Sequence, residues 1–371
     1  MKITCNKEEL SQVCQISRRM AGNNKTSSPV LEGILITAKS GILTFTGYNL
    51  ELGVKSSISA EIKEEGEILV NVGILDDMVK KLPENTVNIE SDKTNTVKIS
   101  SGNFESTLIG MSAGDYPALP SVTNGSAFSI NQKVLRDMIK KTIFSVAVKD
   151  SKIVHTGIKF EIEPNHIRLI AVDGVRLAIR NEIINYDGEN LSFVVPAKTL
   201  SEIIKLIGNN DEDIYLSIGQ KHIIFLVGNY TIFSRLLSGE FLNYKAVITS
   251  SKNTVADVNT KSLVESIDRT ALLITDKVKS PVKCCFDGNL IKVSCSTTIG
   301  TTNDKITAKI QGEPCTIGFN NKYMLDALKV CDIDEVRIIL NGSTAPILIV
   351  PKQGDEFIFL ILPVKLREGV N

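Results

Sequence analysis

One helical pattern of apolar positions occurs three times along the chain. Its members stand at i, i+3, i+4 and i+7, the spacing of one face of an α-helix. The three copies are Leu75/Met78/Val79/Leu82, Leu200/Ile203/Ile204/Ile207 and Met324/Ala327/Leu328/Cys331. A second helical pattern also repeats, as Leu10/Val13/Cys14/Ser17, Leu135/Met138/Ile139/Thr142 and Leu263/Ser266/Ile267/Thr270. Because successive copies stand 124 to 128 residues apart, the sequence predicts one unit with two helices, repeated three times.

The segments around these patterns complete the predicted unit. The patterns predict helices over 6–21, 73–82, 131–148, 198–207, 259–275 and 320–330. Alternating and β-branched runs predict strands at 33–38, 87–90, 97–100, 167–171, 214–218, 223–227, 336–340 and 357–362. Gly114-Asp115-Tyr116 and Gly239-Glu240-Phe241, 125 residues apart, are taken as part of the same sheets. We therefore expect an α+β fold in three domains, 1–125, 126–250 and 251–371, each a helix pair on antiparallel strands.

Charge changes this picture only when it is mapped onto the predicted helices. The whole chain is neutral, with 42 Lys+Arg and 42 Asp+Glu among its 371 residues. The six predicted helical segments hold 15 Lys/Arg and 9 Asp/Glu, a net charge of +6. Lys80, Lys205 and Lys329 lie opposite the apolar stripe, and so do Lys198 and Lys322 seven residues earlier in their helices. Such lysines suit phosphate contacts without base reading, although a solvated helix face is the alternative.

Several classes of protein are disfavoured by what the sequence lacks. Seven cysteines without metal-ligand spacing indicate reduced, buried thiols in a cytoplasmic protein. The N-terminal residues have no signal-peptide run, and no apolar stretch is long enough to span a membrane. The chain has no phosphate-binding glycine loop, nucleophile elbow or paired histidines, so we expect neither catalysis, a cofactor nor a metal. Acidic pairs such as Asp76-Asp77 are interpreted as solvated, and Asp173 as the start of an Asx turn.

Several segments resemble one family. The stretch from Leu169 to Ala178, LIAVDGVRLA, is similar to a signature of the bacterial sliding clamps, the beta subunits of DNA polymerase III. Other matches are GDYPALP at 114–120, SRLLSGEFLNY at 234–244, Asp268-Arg269 with Leu272-Leu273, 320–328 and LPVKL at 362–366. Their order along a chain of this length makes the combined resemblance specific.

The resemblance implies a ring made of two chains joined head to tail, with the helices lining the hole and the strands outside. It implies that the first domain of one chain meets the third of the other, here through Met78, Phe104, Leu108, Leu272 and Leu273. Ordinary core packing is the alternative, above all for Met78. It also implies that the ring slides on duplex DNA without sequence specificity. We expect the DNA-facing lysines to be Lys25, Lys80, Lys149, Lys152, Lys198, Lys205, Lys322 and Lys329.

The resemblance further implies an apolar pocket between the second and third domains, which takes a short peptide of a partner protein. The matching positions are His155, Val172, Gly174, Val175, Arg176, Leu177, Leu242, Val247, Pro346, Leu360, Leu362, Pro363 and Val364. Arg176 is expected to frame the pocket or stack on the peptide. The chain departs from the family pattern at His155, Val172, Val175 and Leu242, which predicts an altered peptide preference. The expected partners are a second copy, duplex DNA, a clamp loader, the replicative polymerase and other proteins with a clamp-binding peptide.

Two other classes of function compete with a sliding clamp. A repeat adaptor that docks linear peptides without binding DNA would use the same apolar pocket, but would not need lysines aligned in all three copies. An enzyme with an unrecognised site would need a catalytic constellation, which no motif in the sequence supplies. Retention on circular but not on linear DNA would separate a clamp from the adaptor.

Overall fold

The fold was obtained as a computed structural model, which describes residues 1–20, 28–122, 125–208, 211–248, 251–275 and 277–366. The first third of the chain contains two helices and eight strands. They are β1 Lys2–Asn6, α1 Lys7–Met20, β2 Gly33–Lys39, β3 Ile42–Tyr48, β4 Leu52–Glu64, β5 Gly66–Asn71, α2 Val72–Val79, β6 Thr86–Ser91, β7 Thr96–Ser101 and β8 Phe104–Ile109.

The middle third has the same order of elements. They are β9 Ser126–Asn131, α3 Gln132–Ile143, β10 Gly157–Glu163, β11 His166–Val172, β12 Arg176–Ile183, β13 Leu191–Pro196, α4 Ala197–Leu206, β14 Asp213–Ile218, β15 His222–Val227 and β16 Tyr230–Arg235. Helix α3 ends five residues before the predicted 148, because Ser145 and Val146 donate turn bonds to Thr142 and Ile143.

The last third again has two helices. Its elements are β17 Thr254–Asn259, α5 Thr260–Thr270, β18 Val282–Asp287, β19 Leu290–Thr297, β20 Gly300–Thr307, β21 Lys309–Gly312, β22 Cys315–Phe319, α6 Asn321–Leu328, β23 Glu335–Leu340, β24 Ile347–Pro351 and β25 Phe357–Ile361. The prediction of two helices on antiparallel strands, three times, is confirmed within the described residues.

Asparagine side chains begin most of the helices. The Oδ1 atoms of Asn71, Asn259 and Asn320 accept from backbone N–H groups in the first turns of α2, α5 and α6, at 2.9 to 3.1 Å for the shortest bond of each. Asn6 and Asn131 do the same for α1 and α3. An N-cap oxygen satisfies an amide that has no partner inside the helix, so each strand passes directly into a helix.

One compact unit is formed by residues 1–133 and 198–236. Its twelve-stranded sheet follows the order β8-β7-β6-β1-β4-β16-β15-β14-β9, with β3 also paired to β4, β2 to β3 and β5 to β2. Helices α1 and α2 bury their apolar faces, including Leu10, Val13, Leu75 and Val79, against this sheet. The helical periodicity of the sequence therefore identifies the core correctly.

A second compact unit is formed by residues 134–197 and the described residues from 237 onward. It has a nine-stranded sheet in the order β13-β10-β11-β12-β25-β24-β23-β17-β21 and a four-stranded sheet in the order β20-β19-β18-β22. A core between these strands and helices α5 and α6 contains Leu263, Ile267, Met324 and Leu328. The predicted domain boundaries remain a prediction, because the strands of the middle third belong to both units.

Two smaller expectations have different outcomes. The segment at 113–115 is a 3₁₀ turn and the segment at 239–241 lies outside any strand, so the prediction that they belong to sheets is wrong. All seven cysteines are free thiols, and all but the half-buried Cys285 are buried. Burial raises the pKa of Cys5 to about 12. No helix among the described residues is both long and apolar enough to cross a membrane.

Candidate functional site

A tight turn between β11 and β12 carries the residues that resemble the family signature. Asp173 Oδ1 accepts from the backbone N–H groups of Val175 and Arg176, at 3.2 and 3.1 Å. Gly174 has φ +87°, a left-handed conformation that glycine adopts without a Cβ clash. The Asx turn interpreted from the sequence is confirmed, and the turn holds Val175 exposed at the surface.

An apolar cluster lies beside this turn. Val172, Leu177 and Leu360 are buried in one cluster with Tyr244, and Leu242 packs against it, half-buried. The other predicted pocket residues are exposed or half-buried: Gly174, Val175, Val247, Pro346, Leu362, Pro363 and Val364. The backbone fixes this rim, because Leu362 N donates to Val175 O at 2.9 Å. An exposed aliphatic rim above a buried aliphatic floor is suited to bind apolar side chains.

Arg176 is held away from solvent by four groups. Its guanidinium donates to Asp173 Oδ2 at 2.7 Å and to Asp326 Oδ2 at 2.8 Å. It also lies 4.5 Å from the ring centroid of Tyr323 and 5.8 Å from that of Phe144. These contacts link β12 to helix α6. The role of Arg176 in framing the pocket or stacking on a peptide remains a prediction. Its guanidinium already contacts Asp173, Asp326, Tyr323 and Phe144 in the absence of a peptide.

His155 contacts the cluster through an aromatic neighbour. Its ring lies edge-on to Phe241, with centroids 5.5 Å apart, and Phe241 packs against the cluster. His155 Nδ1 lies 2.9 Å from Asp150 Oδ2 and donates to it, because an ionised carboxylate only accepts. The backbone N–H of Lys152 and the His155 ring lower the pKa of Asp150. His155 therefore joins the pocket region to the loop that carries Lys149 and Lys152.

A half-buried polar network next to the cluster was not expected from the sequence. Glu161 accepts from Tyr244 Oη at 2.6 Å and lies 2.7 Å from Lys159 Nζ and 3.3 Å from Arg168 Nη1. Burial works to raise the pKa of Glu161, but these donors outweigh it and the pKa is lowered. Burial and the bond to Glu161 raise the pKa of Tyr244 to about 12. Only the alternation of charged residues on β10 and β11 hinted at this network.

The predicted DNA-facing lysines are exposed wherever the structure describes them. Lys80, Lys198 and Lys205 lie on or next to the helices of the first unit, and Lys322 and Lys329 on or next to α6. The remaining two, Lys149 and Lys152, lie in the loop after α3. Lys25 lies outside the described residues. Two of these lysines are closely ion-paired: Lys80 Nζ lies 2.7 Å from Asp76 Oδ2, and Lys205 Nζ 2.6 Å from Glu202 Oε1.

Asp76 corrects one expectation. The carboxylate was interpreted as solvated, but it is fully buried and lies 2.8 Å from Arg18 Nη1 as well as close to Lys80. Its neighbour Asp77 is exposed, and the hydrogen bond from Arg18 lowers the pKa of Asp77. Helix periodicity explains the difference, because position 76 follows the buried Leu75 on the packed side of α2 whereas position 77 points outward.

The predicted dimer-interface residues divide by exposure. Phe104 on the edge strand β8 is exposed, while Leu108 and Met78 are half-buried against the core of the first unit. In the second unit, Leu272 is 75% exposed and Leu273 half-buried, both in a 3₁₀ turn after α5. Two exposed isoleucines near these segments, Ile109 and Ile299, were not predicted. Strand β8 and the 3₁₀ turn after α5 both present apolar side chains to solvent, so the surfaces around them are candidates for protein contacts.

Three copies of one α+β unit, with exposed aliphatic side chains beside a buried apolar cluster and exposed lysines on the helices, define a repeat scaffold suited to binding. Family models of the DNA polymerase III beta subunit match nearly all of the chain: the N-terminal domain at 1–120, the central domain at 129–243 and the C-terminal domain at 245–365. The beta sliding clamp of Bacillus subtilis strain 168 is 32% identical over 98% of this chain and 100% of its own. That of Staphylococcus epidermidis strain RP62A is 32% identical over 92% of this chain and 93% of its own.

Solved structures agree with the sequence relatives. The crystal structure of the DNA polymerase sliding clamp from Bacillus subtilis superposes with a TM-score of 0.96 at 32% identity, covering 99% of this chain and 100% of that one. The chain belongs to the DNA polymerase III beta subunit family, the sliding clamps, which are non-catalytic processivity factors of DNA replication.

Proposed function

We propose that two copies of this chain close head to tail into a ring around duplex DNA and tether a DNA polymerase to its template. Membership of the sliding-clamp family implies DNA and a polymerase as partners. The observation that carries the proposal for this chain is a pair of open strand edges, one in each unit, whose counterparts in the other repeats are paired. Strand β8 pairs only with β7, and β20 only with β19, among the described residues.

The internal repeat indicates what should pair with these edges. Strands β4, β12 and β20 begin 124 residues apart and each follows a hairpin, and β8, β16 and β25 are the last strands of the three copies. Within the chain, β16 pairs antiparallel with β4, and β25 pairs antiparallel with β12. By the same rule, β20 should pair with the last strand of another copy, and β8 is the last strand that lacks such a partner. A second copy that offers its β8 to β20 satisfies both edges and, by two-fold symmetry, closes the ring.

The exposed apolar residues support the same contact. Phe104 and Ile109 lie on β8. Ile299 directly precedes β20, and Leu272 lies in the 3₁₀ turn that follows α5. Pairing the two edges would remove these side chains from water, which favours association by about 25 cal/mol for each Å² of apolar area buried. Met78 and Leu108 are expected at the border of that contact.

Tethering requires a ring that slides rather than one that binds tightly. The exposed lysines of the helices and of the loop after α3, with Lys25, are proposed to contact phosphates without reading bases. A closed ring stays on DNA by topology, so weak contacts are sufficient and allow movement. The partners are proposed to dock short peptides on the pocket formed around Val172, Leu177, Leu242, Leu360 and Leu362. A clamp loader is expected to use the same pocket when it opens the ring.

The experiment that tests this proposal compares retention on two forms of one plasmid. The protein is loaded by a clamp loader onto nicked circular DNA, and half of the sample is then linearised before gel filtration. Retention on the circle and loss from the linear form is the expected result. Equal loss from both forms, with loading verified before cutting, would overturn the ring and favour an adaptor that docks peptides without encircling DNA.

A further inference from the structure

Two buried carboxylates lie beneath basic side chains of the first unit. Asp76 Oδ2 on α2 is 2.8 Å from Arg18 Nη1 on α1 and 2.7 Å from Lys80 Nζ. Glu202 on α4 is buried as well, with Oε2 3.1 Å from Arg19 Nε on α1 and Oε1 2.6 Å from Lys205 Nζ. Each carboxylate thus bridges one arginine of α1 and one exposed lysine of its own helix.

The two bridges are similar in arrangement but not in sequence. Lys80 and Lys205 stand 125 residues apart, at the same position of the repeated helix. Their acidic partners come from different positions, four residues before Lys80 but three before Lys205. The third equivalent lysine, Lys329, also has a carboxylate nearby, with Asp268 Oδ1 at 3.8 Å. Pairing is therefore present at all three lysines, although the acidic residue differs each time.

Burial makes the first two carboxylates fixed counter-charges. Asp76 has no access to water, so it cannot swing away when a phosphate approaches the lysine above it. Its second oxygen, Oδ1, accepts no hydrogen bond from any described residue, so Arg18 and Lys80 are the groups that compensate its charge. The ammonium groups of Lys80 and Lys205 remain accessible, with side chains 40% and 52% exposed. A phosphate must therefore compete with a carboxylate that is already bound to the same cation.

We propose that Asp76 and Glu202 are positioning residues that hold Lys80 and Lys205 beside Arg18 and Arg19, each carboxylate cancelling one of the two positive charges next to it, and so keep phosphate contacts weak enough for sliding. This inference rests on the proposed function, since it needs these lysines to face DNA. A cation that is already neutralised displaces few counterions from DNA, so it contributes little to the salt dependence of binding. Removing a carboxylate should turn a weak phosphate contact into a strong one.

The test measures DNA affinity and sliding in full-length protein. Glu202→Gln and Asp76→Asn are each compared with the single control Glu90→Gln, and their double variant is compared with the control pair Glu90→Gln and Glu335→Gln, so that the charge change is the same in each comparison. The control pair removes two exposed ion pairs of strands, Lys2–Glu90 at 2.7 Å and Lys352–Glu335 at 2.6 Å. Affinity for a 30-bp duplex, a length chosen as about three helical turns, is measured against salt by fluorescence anisotropy. The diffusion coefficient of loaded protein on stretched DNA is recorded alongside it.

Each freed cation that gains a phosphate adds about 0.9 to the slope of log affinity against log salt. Glu202→Gln, which removes the one negative charge shared by Lys205 and Arg19, is therefore expected to steepen the slope by about 0.9. It should also slow diffusion severalfold, whereas the control pair should change the slope less than either variant. Glu202→Asp should restore the wild-type slope. Because Asp76→Asn alters a buried group, its melting temperature is measured first, and Glu202→Gln tests the proposal if Asp76→Asn does not fold.

A double-mutant cycle separates this role from general charge. Lys205→Met should flatten the salt slope only slightly in the wild-type background, but by about 0.9 in the Glu202→Gln background. Equal effects in the two backgrounds, or equal slopes for Glu202→Gln and the control, would overturn the inference. If wild-type protein is lost equally from circular and linear plasmid, the proposed ring is wrong. The plasmid experiment therefore tests the ring independently of the salt slopes.

Discussion

The guanidinium of Arg176 lies 2.8 Å from a carboxylate oxygen of Asp326, and this ion pair joins strand β12 to helix α6. The two residues are 150 positions apart in the sequence. Strand β12 also pairs with β25, so the region of the predicted peptide pocket is held together by both backbone and side-chain bonds. The predicted pocket residues on β12 are therefore anchored by a neighbouring strand and a helix.

Removing the charge of Arg176 should destabilise the second unit. Arg176→Met keeps most of the aliphatic stem but leaves Asp173 and Asp326 without their cation, and it removes the stacking on Tyr323. We expect the free energy of unfolding to fall by about 2 kcal/mol in urea denaturation, because breaking a mostly buried pair leaves uncompensated charge. The control Lys352→Met breaks an exposed pair and should cost less than about 0.5 kcal/mol. A loss no larger than the control's would show that the Arg176 contacts contribute little.

Charges at the predicted dimer interface should give monomers. Leu272→Asp with Leu273→Asp places two carboxylates where the second copy is expected to pack. Burying unpaired charges costs several kcal/mol, so sedimentation should show monomers at micromolar concentration. Ile183→Asp is the matched control, since Ile183 is 80% exposed in the same unit and outside the predicted contact. A variant that sediments as a dimer, like the control, would place the interface elsewhere.

A charge on the rim of the apolar pocket should block peptide docking. Leu362 is exposed while its backbone is fixed to Val175, so Leu362→Asp should fold normally. We expect a loss of about 2 kcal/mol or more, roughly thirtyfold in dissociation constant, for a labelled peptide with adjacent Leu and Phe anchors. Leu290→Asp, a similarly exposed position on β19, should bind as the wild type does. Equal affinity for both variants would mean that the peptide binds at another site.

Local features of this site were predictable from the sequence, but long-range partners were not. The helix faces with Leu75 and Leu200 and the Asx turn at Asp173 depend on neighbours within a few residues, so periodicity and turn chemistry identify them. The partner of Arg176 and the pairing of β12 with β25 depend on chain segments more than 100 residues away. The partner of the buried Asp76 is Arg18 of another helix, 58 positions away, which no local pattern shows. The family resemblance predicts pocket residues from distant segments because it carries that long-range information.

Acid should remove the stabilisation supplied by a cross-strand ion pair. Asp257 on β17 faces Arg337 on β23, with Asp257 Oδ1 2.7 Å from Arg337 Nε, and the bond from Arg337 lowers the pKa of Asp257 below 3.8. A carboxyl whose pKa is lower in the folded state stabilises the fold above its unfolded pKa, and that contribution disappears as pH falls through the folded pKa. Asp257→Asn should therefore lower the free energy of unfolding by about 1 kcal/mol at pH 7. The difference from wild type should narrow progressively below about pH 4.

Urea denaturation from pH 7 to pH 2.5 measures this difference directly. Glu163→Gln serves as the control, because Glu163 is exposed and forms no ion pair with any residue that the structure describes. Its curve should follow that of the wild type over the whole range. If the gap between Asp257→Asn and wild type stayed constant with pH, the loss would come from packing or from the neutral hydrogen bond. The charge of Asp257 would then not be what stabilises the pairing of β17 with β23.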